Sequence, residues 1–164
     1  MAYTFCVGRR GWDVVAIRIR SPGMTVASVL VISSASIILF LGLVHLLYTF
    51  LGIKLYPTDM ALTVRMKEVA PNISQQTTMW RAWIGFNASH AIGAILFGAI
   101  YIYLAAQHAT VLFQSGFLLL LGLITLLTYF FLGLRYWFSI PFRGITVSTA
   151  LYVSALVAAS FHIN

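Results

Sequence analysis

The fold is decided by Trp80 to Ala106, WRAWIGFNASHAIGAILFGAIYIYLAA. From Trp83 to Ala106 this stretch carries no charge. At about 1.5 Å per residue, a helix of that length crosses a hydrocarbon core of roughly 30 Å. Gly85, Ser89 and Gly93 recur at every fourth position and share one helix face. In lipid no hydrophobic force draws helices together, so small residues that let backbones approach are a packing signal. This face is expected to pack inside the bundle, with an oligomer seam as the alternative. A second stripe holds Asn87, His90, Ala94 and Tyr101. Asn87 and His90 are costly against lipid and are expected to face the interior or a wet cavity. Trp80, Arg81 and Trp83 head the stretch as an interfacial anchor, aromatic rings around a cation.

Working outward, three more apolar runs complete the pattern. The spans are expected at about 25–51, 83–106, 111–134 and 144–163, which makes the chain an all-α membrane protein, a four-helix transmembrane bundle. The longest connection, from Gly52 to Met79, carries Lys54 and Tyr56 at the membrane edge. Pro57-Thr58-Asp59 is a helix start, because Thr58 or Asp59 can cap exposed amides. A short amphipathic helix is expected to follow along the interface, with Leu62, Met66 and Val69 on one side and Pro71 ending it. Gln107 to Thr110 reads as a tight turn that makes spans two and three an antiparallel hairpin. Arg135, Tyr136 and Trp137 form a second interfacial anchor, and Pro141, Phe142 and Arg143 a short link.

Composition excludes a soluble domain. Hydrophobic residues make up 61% of the 164-residue chain and charged residues 8%, against about 25% charged in soluble domains. The net charge of +7 does not point to nucleic acid, because the ten basic residues stand singly or in pairs between apolar runs, where lipid headgroups meet them. The expected partners are the lipid bilayer and, beyond it, other membrane subunits or further copies of the chain. The single cysteine, Cys6, excludes an intrachain disulfide and a cysteine metal cage. Residues 1–23 mix Arg9, Arg10, Arg18 and Arg20 with scattered apolar residues. They read either as a short interfacial helix through Trp12, Val15 and Ile19, or as a disordered segment or start-site artefact preceding a single four-span domain over 24–164. The first apolar run is too long for a cleavable signal and lacks its small-residue site. Lys54, Arg65, Lys67, Arg81, Arg135 and Arg143 lie on the side opposite the termini. The positive-inside rule then favours a cytoplasmic long loop and outward termini, with the Arg-rich N-terminal segment opposing it.

One polar constellation stands out. His45, near the end of span one, and His90, near the start of span two, reach a similar depth in antiparallel helices. The loop between them carries Asp59 and Glu68 at the same membrane face. One reading is structural: neutral histidines hydrogen-bonded across the helix pair, with Asn87 and Tyr48 as partners. Another is a binding or catalytic site using His45, His90 and Asn87, with Asp59 or Glu68 as acid or base. A third is haem or a metal ion held by His45 and His90, since paired intramembrane histidines clamp haem iron; no cofactor is otherwise expected. His108 reads as a turn residue and His162 as interfacial. No acid lies within a span, which argues against proton-coupled export through a membrane carboxylate. No G-x-S-x-G, H-E-x-x-H or G-x-x-x-x-G-K-[ST] element is present.

At WRAWIGFNASHAIGAILFG, supported by HLLYTFLGIKLYP from His45, the sequence resembles a family of small, uncharacterised bacterial four-span integral membrane proteins. The resemblance covers roughly Met24 to Asn164. It implies a multi-pass protein of the bacterial inner membrane and carries over no catalytic role.

Overall fold

The computed structural model describes residues 25–161. The readings made for residues 1–23, Cys6 and His162 lie outside these residues. Six helices follow one another: α1 (Val26–Phe50), α2 (Met60–Glu68), α3 (Met79–Gln107), α4 (Ala109–Gln114), α5 (Gly116–Tyr136) and α6 (Ser139–Ser160). α1, α3, α5 and α6 are long and apolar enough to cross a membrane. The all-helical, four-span architecture therefore stands, with α2 as the short helix of the first long loop.

Polar caps set where these helices begin. Thr25 accepts from the Ser28 amide at 3.1 Å, and Asp59 from the Ala61 amide at 2.8 Å. Thr78 accepts from the Arg81 amide and Ser115 from the Leu118 amide, each at 3.3 Å. Each cap satisfies an amide that the first helical turn cannot. The Thr78 cap starts α3 at Met79, ahead of Trp83, so Trp80, Arg81 and Trp83 all ride on its first turns. The Ser115 cap breaks the expected third span. Ala109–Gln114 becomes a separate short helix and the membrane helix starts at Gly116. α6 starts at Ser139, so Pro141 lies inside the helix rather than in a link. Its missing N–H costs nothing there, because the first-turn amides have no helical partner. Gly52, with φ 92°, turns the chain out of α1 in a conformation that favours glycine.

α1 packs between α3 and α6, and α5 packs on α6. The α3 and α5 backbones stay apart, and large side chains span the gap, so the expected hairpin of spans two and three does not pack backbone to backbone. The close seams depend on small residues, as required where lipid is as apolar as the core. A Cβ on Gly98 would lie 2.6 Å from Leu39 Cβ and 2.8 Å from the Ala35 carbonyl. One on Gly42 would lie 3.0 Å from Ala94 Cβ. Between α1 and α6, Ser34 and Ser148 are fully buried, each hydroxyl donating to the other residue's carbonyl. Tyr101 of α3 and Tyr152 of α6 reach across to the Leu118 and Leu119 carbonyls, at 2.6 and 3.2 Å. Gly122 leaves the room both rings occupy.

The Gly85, Ser89 and Gly93 face is a correction. All three are exposed, no atom lies within 4 Å of a Cβ placed on Gly85, and only the Tyr129 hydroxyl, at 3.6 Å, meets one on Gly93. The inward face of α3 runs instead through Ala91, Ala94, Gly98, Tyr101 and Ala105. The Gly98 contact with α1 fixes that rotation, and the Gly85 stripe lies on the other side of the helix.

Candidate functional site

The polar cluster sits toward the loop end of the bundle, where α1 ends, α3 begins and α5 ends. α1 and α3 run antiparallel, which brings His45 level with Asn87 and His90. His45 Nε2 and Asn87 Oδ1 are 3.0 Å apart. The Asn87 Nδ2 group donates to the Trp83 carbonyl at 2.8 Å. That bond fixes the amide: Oδ1 must accept, so His45 presents Nε2–H to it. The Thr49 hydroxyl donates to the His45 carbonyl at 2.8 Å. His45 and Asn87 thus close a polar tie between α1 and α3, one of the structural partnerships expected of these residues. Tyr48, the other expected partner, turns outward, where Lys54 Nζ lies 3.4 Å from its hydroxyl and 4.6 Å from its ring centroid.

His90 is surrounded by rings. Its centroid lies 5.5 Å from His45, 5.6 Å from Tyr129 and 5.0 Å from Trp137, all edge-to-face. Such pairs place the positive edge of one ring on the negative face of another. The sequence alone does not bring Tyr129 or Trp137 to His90. Trp137 follows Arg135 and Tyr136 at the end of a span, where tryptophan ordinarily marks the interface. Arg135 and Tyr136 are exposed as that reading requires, but Trp137 is half-buried and turned inward. A search for aromatic residues at the depth of His90 would have found both.

The two acids do not join this cluster. The Asp59 carboxylate caps α2, and Glu68 pairs with Arg65 at 3.2 Å on the exposed face of the same helix. The loop they sit on is fastened to α3 by other means: Trp83 Nε1 donates to the Leu55 carbonyl at 3.1 Å, Tyr56 packs edge-on against Trp80 at 4.6 Å, and Lys67 Nζ lies 5.5 Å from the Trp80 centroid. Trp80 and Trp83 therefore hold the loop as well as heading the span. Among the described residues no group of three or more His, Cys, Asp or Glu gathers in one place. The donors open to a metal or haem iron are the two imidazoles, and joint ligation through Nε2 requires His45 to leave Asn87. His108 joins α3 to α4 and pairs with the Tyr103 hydroxyl at 3.1 Å.

Comparisons with family models, with curated proteins and with solved structures find no match to this chain. Its chemistry is read from its own residues: four apolar helices, a closed His45–Asn87 tie, and a cluster of rings around His90.

Proposed function

We infer that the chain is a multi-pass protein of the bacterial inner membrane that works by binding within the bilayer, as an accessory protein to other membrane components, rather than by catalysing a reaction. The observation that carries this reading is the placement of the carboxylates. Asp59 and Glu68 are engaged on α2, which leaves the cluster with rings, an amide and two imidazoles. Such a set holds and orients a partner, and with no carboxylate beside them any acid–base step would fall to the two imidazoles alone, one of which is tied to Asn87. The six Lys and Arg side chains of the described residues all lie at the loop end of the bundle, which supports a cytoplasmic loop between α1 and α3.

A second reading, a small membrane enzyme or lipid-handling protein using His45, His90 and Asn87, is favoured by one feature: the His90 ring has no hydrogen-bond partner among the described residues and remains available. Native mass measurement of the protein released in mild detergent separates the two. A second subunit, lipid or small molecule retained at fixed stoichiometry is the expected result. A bare monomer that turns over a substrate, and loses that turnover in His90→Ala, would overturn the binding reading.

A further inference from the structure

We propose that His90, Tyr129 and Trp137 form a binding site, open to the bilayer between α3 and α5, for a membrane-soluble molecule with a hydrogen-bond-accepting carbonyl head. The proposal rests on the reading of the chain as an intramembrane binder and gives that binding a place and a chemistry. The first support is an imbalance in hydrogen bonding. His45 Nε2 and both ends of the Asn87 amide have partners, whereas the His90 ring nitrogens, the Tyr129 hydroxyl and the Trp137 indole N–H have none among the described residues. Polar groups inside a membrane protein ordinarily find one.

The second support is access. Among the described residues the one completely buried side-chain nitrogen or oxygen without a partner is Thr63 Oγ1, on α2. The free polar atoms of His90, Tyr129 and Trp137 therefore reach the protein surface although their residues are half-buried. α3 and the C-terminal part of α5, two helices whose backbones stay apart, carry the three residues. The exposed Gly93 lies beside them, its Cβ position 3.6 Å from the Tyr129 hydroxyl. With only hydrogen there, α3 leaves space next to that hydroxyl for an incoming group.

The donor set selects the ligand. An indole N–H donates and never accepts, a phenol can donate, and a neutral imidazole offers one N–H. Donors on neighbouring rings suit a carbonyl oxygen, whose two lone pairs can each accept from one of them. No carboxylate stands in the cluster to hold an ammonium head, and among the described residues no Lys or Arg side chain is bonded to His90, Tyr129 or Trp137, so a neutral carbonyl fits better than a charged group. Two membrane sources carry it: the flat head of an alkyl quinone, which the surrounding rings would also stack, and the ester carbonyl of a phospholipid.

The test is native mass spectrometry of the full chain in mild detergent, with decyl-benzoquinone and a dioleoyl phospholipid as probes, on wild type, Tyr129→Phe and Trp137→Phe. Tyr129→Phe removes one unpaired hydroxyl, so it preserves folding, which thermal unfolding of the same sample verifies. Wild type is expected to take one quinone per chain, with apparent affinity reduced about tenfold in Tyr129→Phe, the value of one lost hydrogen bond at the upper end of its range. A phospholipid retained by wild type, not displaced by the quinone and lost from Tyr129→Phe, would assign the ester carbonyl instead and uphold the site. Binding of neither probe, or equal binding by wild type and both folded variants, overturns the proposal. If a protein subunit is nonetheless retained, the intramembrane binding reading survives without this site.

Discussion

Ser34 of α1 and Ser148 of α6 each donate a hydrogen bond to the other's backbone carbonyl, at 2.8 and 2.9 Å, with their hydroxyl oxygens 2.9 Å apart. Both side chains are wholly buried. Reciprocal bonding of this kind needs the helix backbones close together, so it works as both a gauge and a clasp for the α1–α6 contact. Ser34→Ala and Ser148→Ala are each expected to lower stability by about 0.5–2 kcal/mol. The double variant should lose less than the sum of the two, because the residues share their bonds. Unfolding in detergent or bicelles measures the cycle, and strict additivity would contradict the clasp.

Glycines on opposite faces of α3 should respond differently. Gly98→Ala forces a Cβ against Leu39 and the Ala35 carbonyl, and about 1–3 kcal/mol of destabilisation is expected from overpacking. Gly85→Ala meets nothing within 4 Å and should be neutral or stabilising by up to about 1 kcal/mol through helix propensity. Thermal unfolding of the two variants side by side checks the rotation of α3. A reversed order would mean that the Gly85, Ser89 and Gly93 face is the packed one after all.

How far the sequence discloses this molecule differs between its parts. The spans are legible because charge is missing from them, and the cap of α2 because Asp59 follows Pro57. The shared face of Asn87, His90, Ala94 and Tyr101 is legible because polar groups avoid lipid; Ala94 and Tyr101 are buried and Asn87 and His90 half-buried. The small-residue stripe is not: α3 carries small residues on both sides, and in lipid a glycine facing out costs little. Gly98 is set apart only by what stands opposite it on α1, a tertiary fact. Trp137 eludes a linear reading for the same reason, since a tryptophan at a span's end serves the interface or the interior according to how the helix is turned. Asp59 and Glu68 show the converse, acids placed near a histidine pair in sequence that are satisfied locally on their own helix.

Loop orientation is open to a direct test. In a Cys6→Ser background, Thr110→Cys, at the exposed start of α4 between α3 and α5, should react with a membrane-impermeant maleimide in intact cells. Ile73→Cys, at a loop position 93% exposed, should react only after permeabilisation. The opposite pattern would place the six basic side chains outside and contradict the charge-based orientation.

The tie between α1 and α3 predicts a coupled loss. Asn87→Ala leaves the His45 N–H without its acceptor, and about 1–3 kcal/mol of destabilisation is expected. His45→Phe in that background should recover part of it, because no unpaired polar group is then left in the seam. Chemical or thermal unfolding of the two variants measures this. No recovery would mean that the His45–Asn87 bond adds little to the seam.

We propose, as the central claim, that His45 serves a structural tie and His90 a binding cluster, rather than the two together ligating iron or another metal. The most direct test is the absorption spectrum, with metal analysis, of the wild-type protein purified in mild detergent. The account predicts no Soret band and no stoichiometric metal, because joint ligation through Nε2 would break the His45–Asn87 bond and, among the described residues, no further His, Cys, Asp or Glu gathers beside the pair. A Soret band or one bound metal per chain, lost in both His45→Ala and His90→Ala, would contradict it and make the pair a ligating centre.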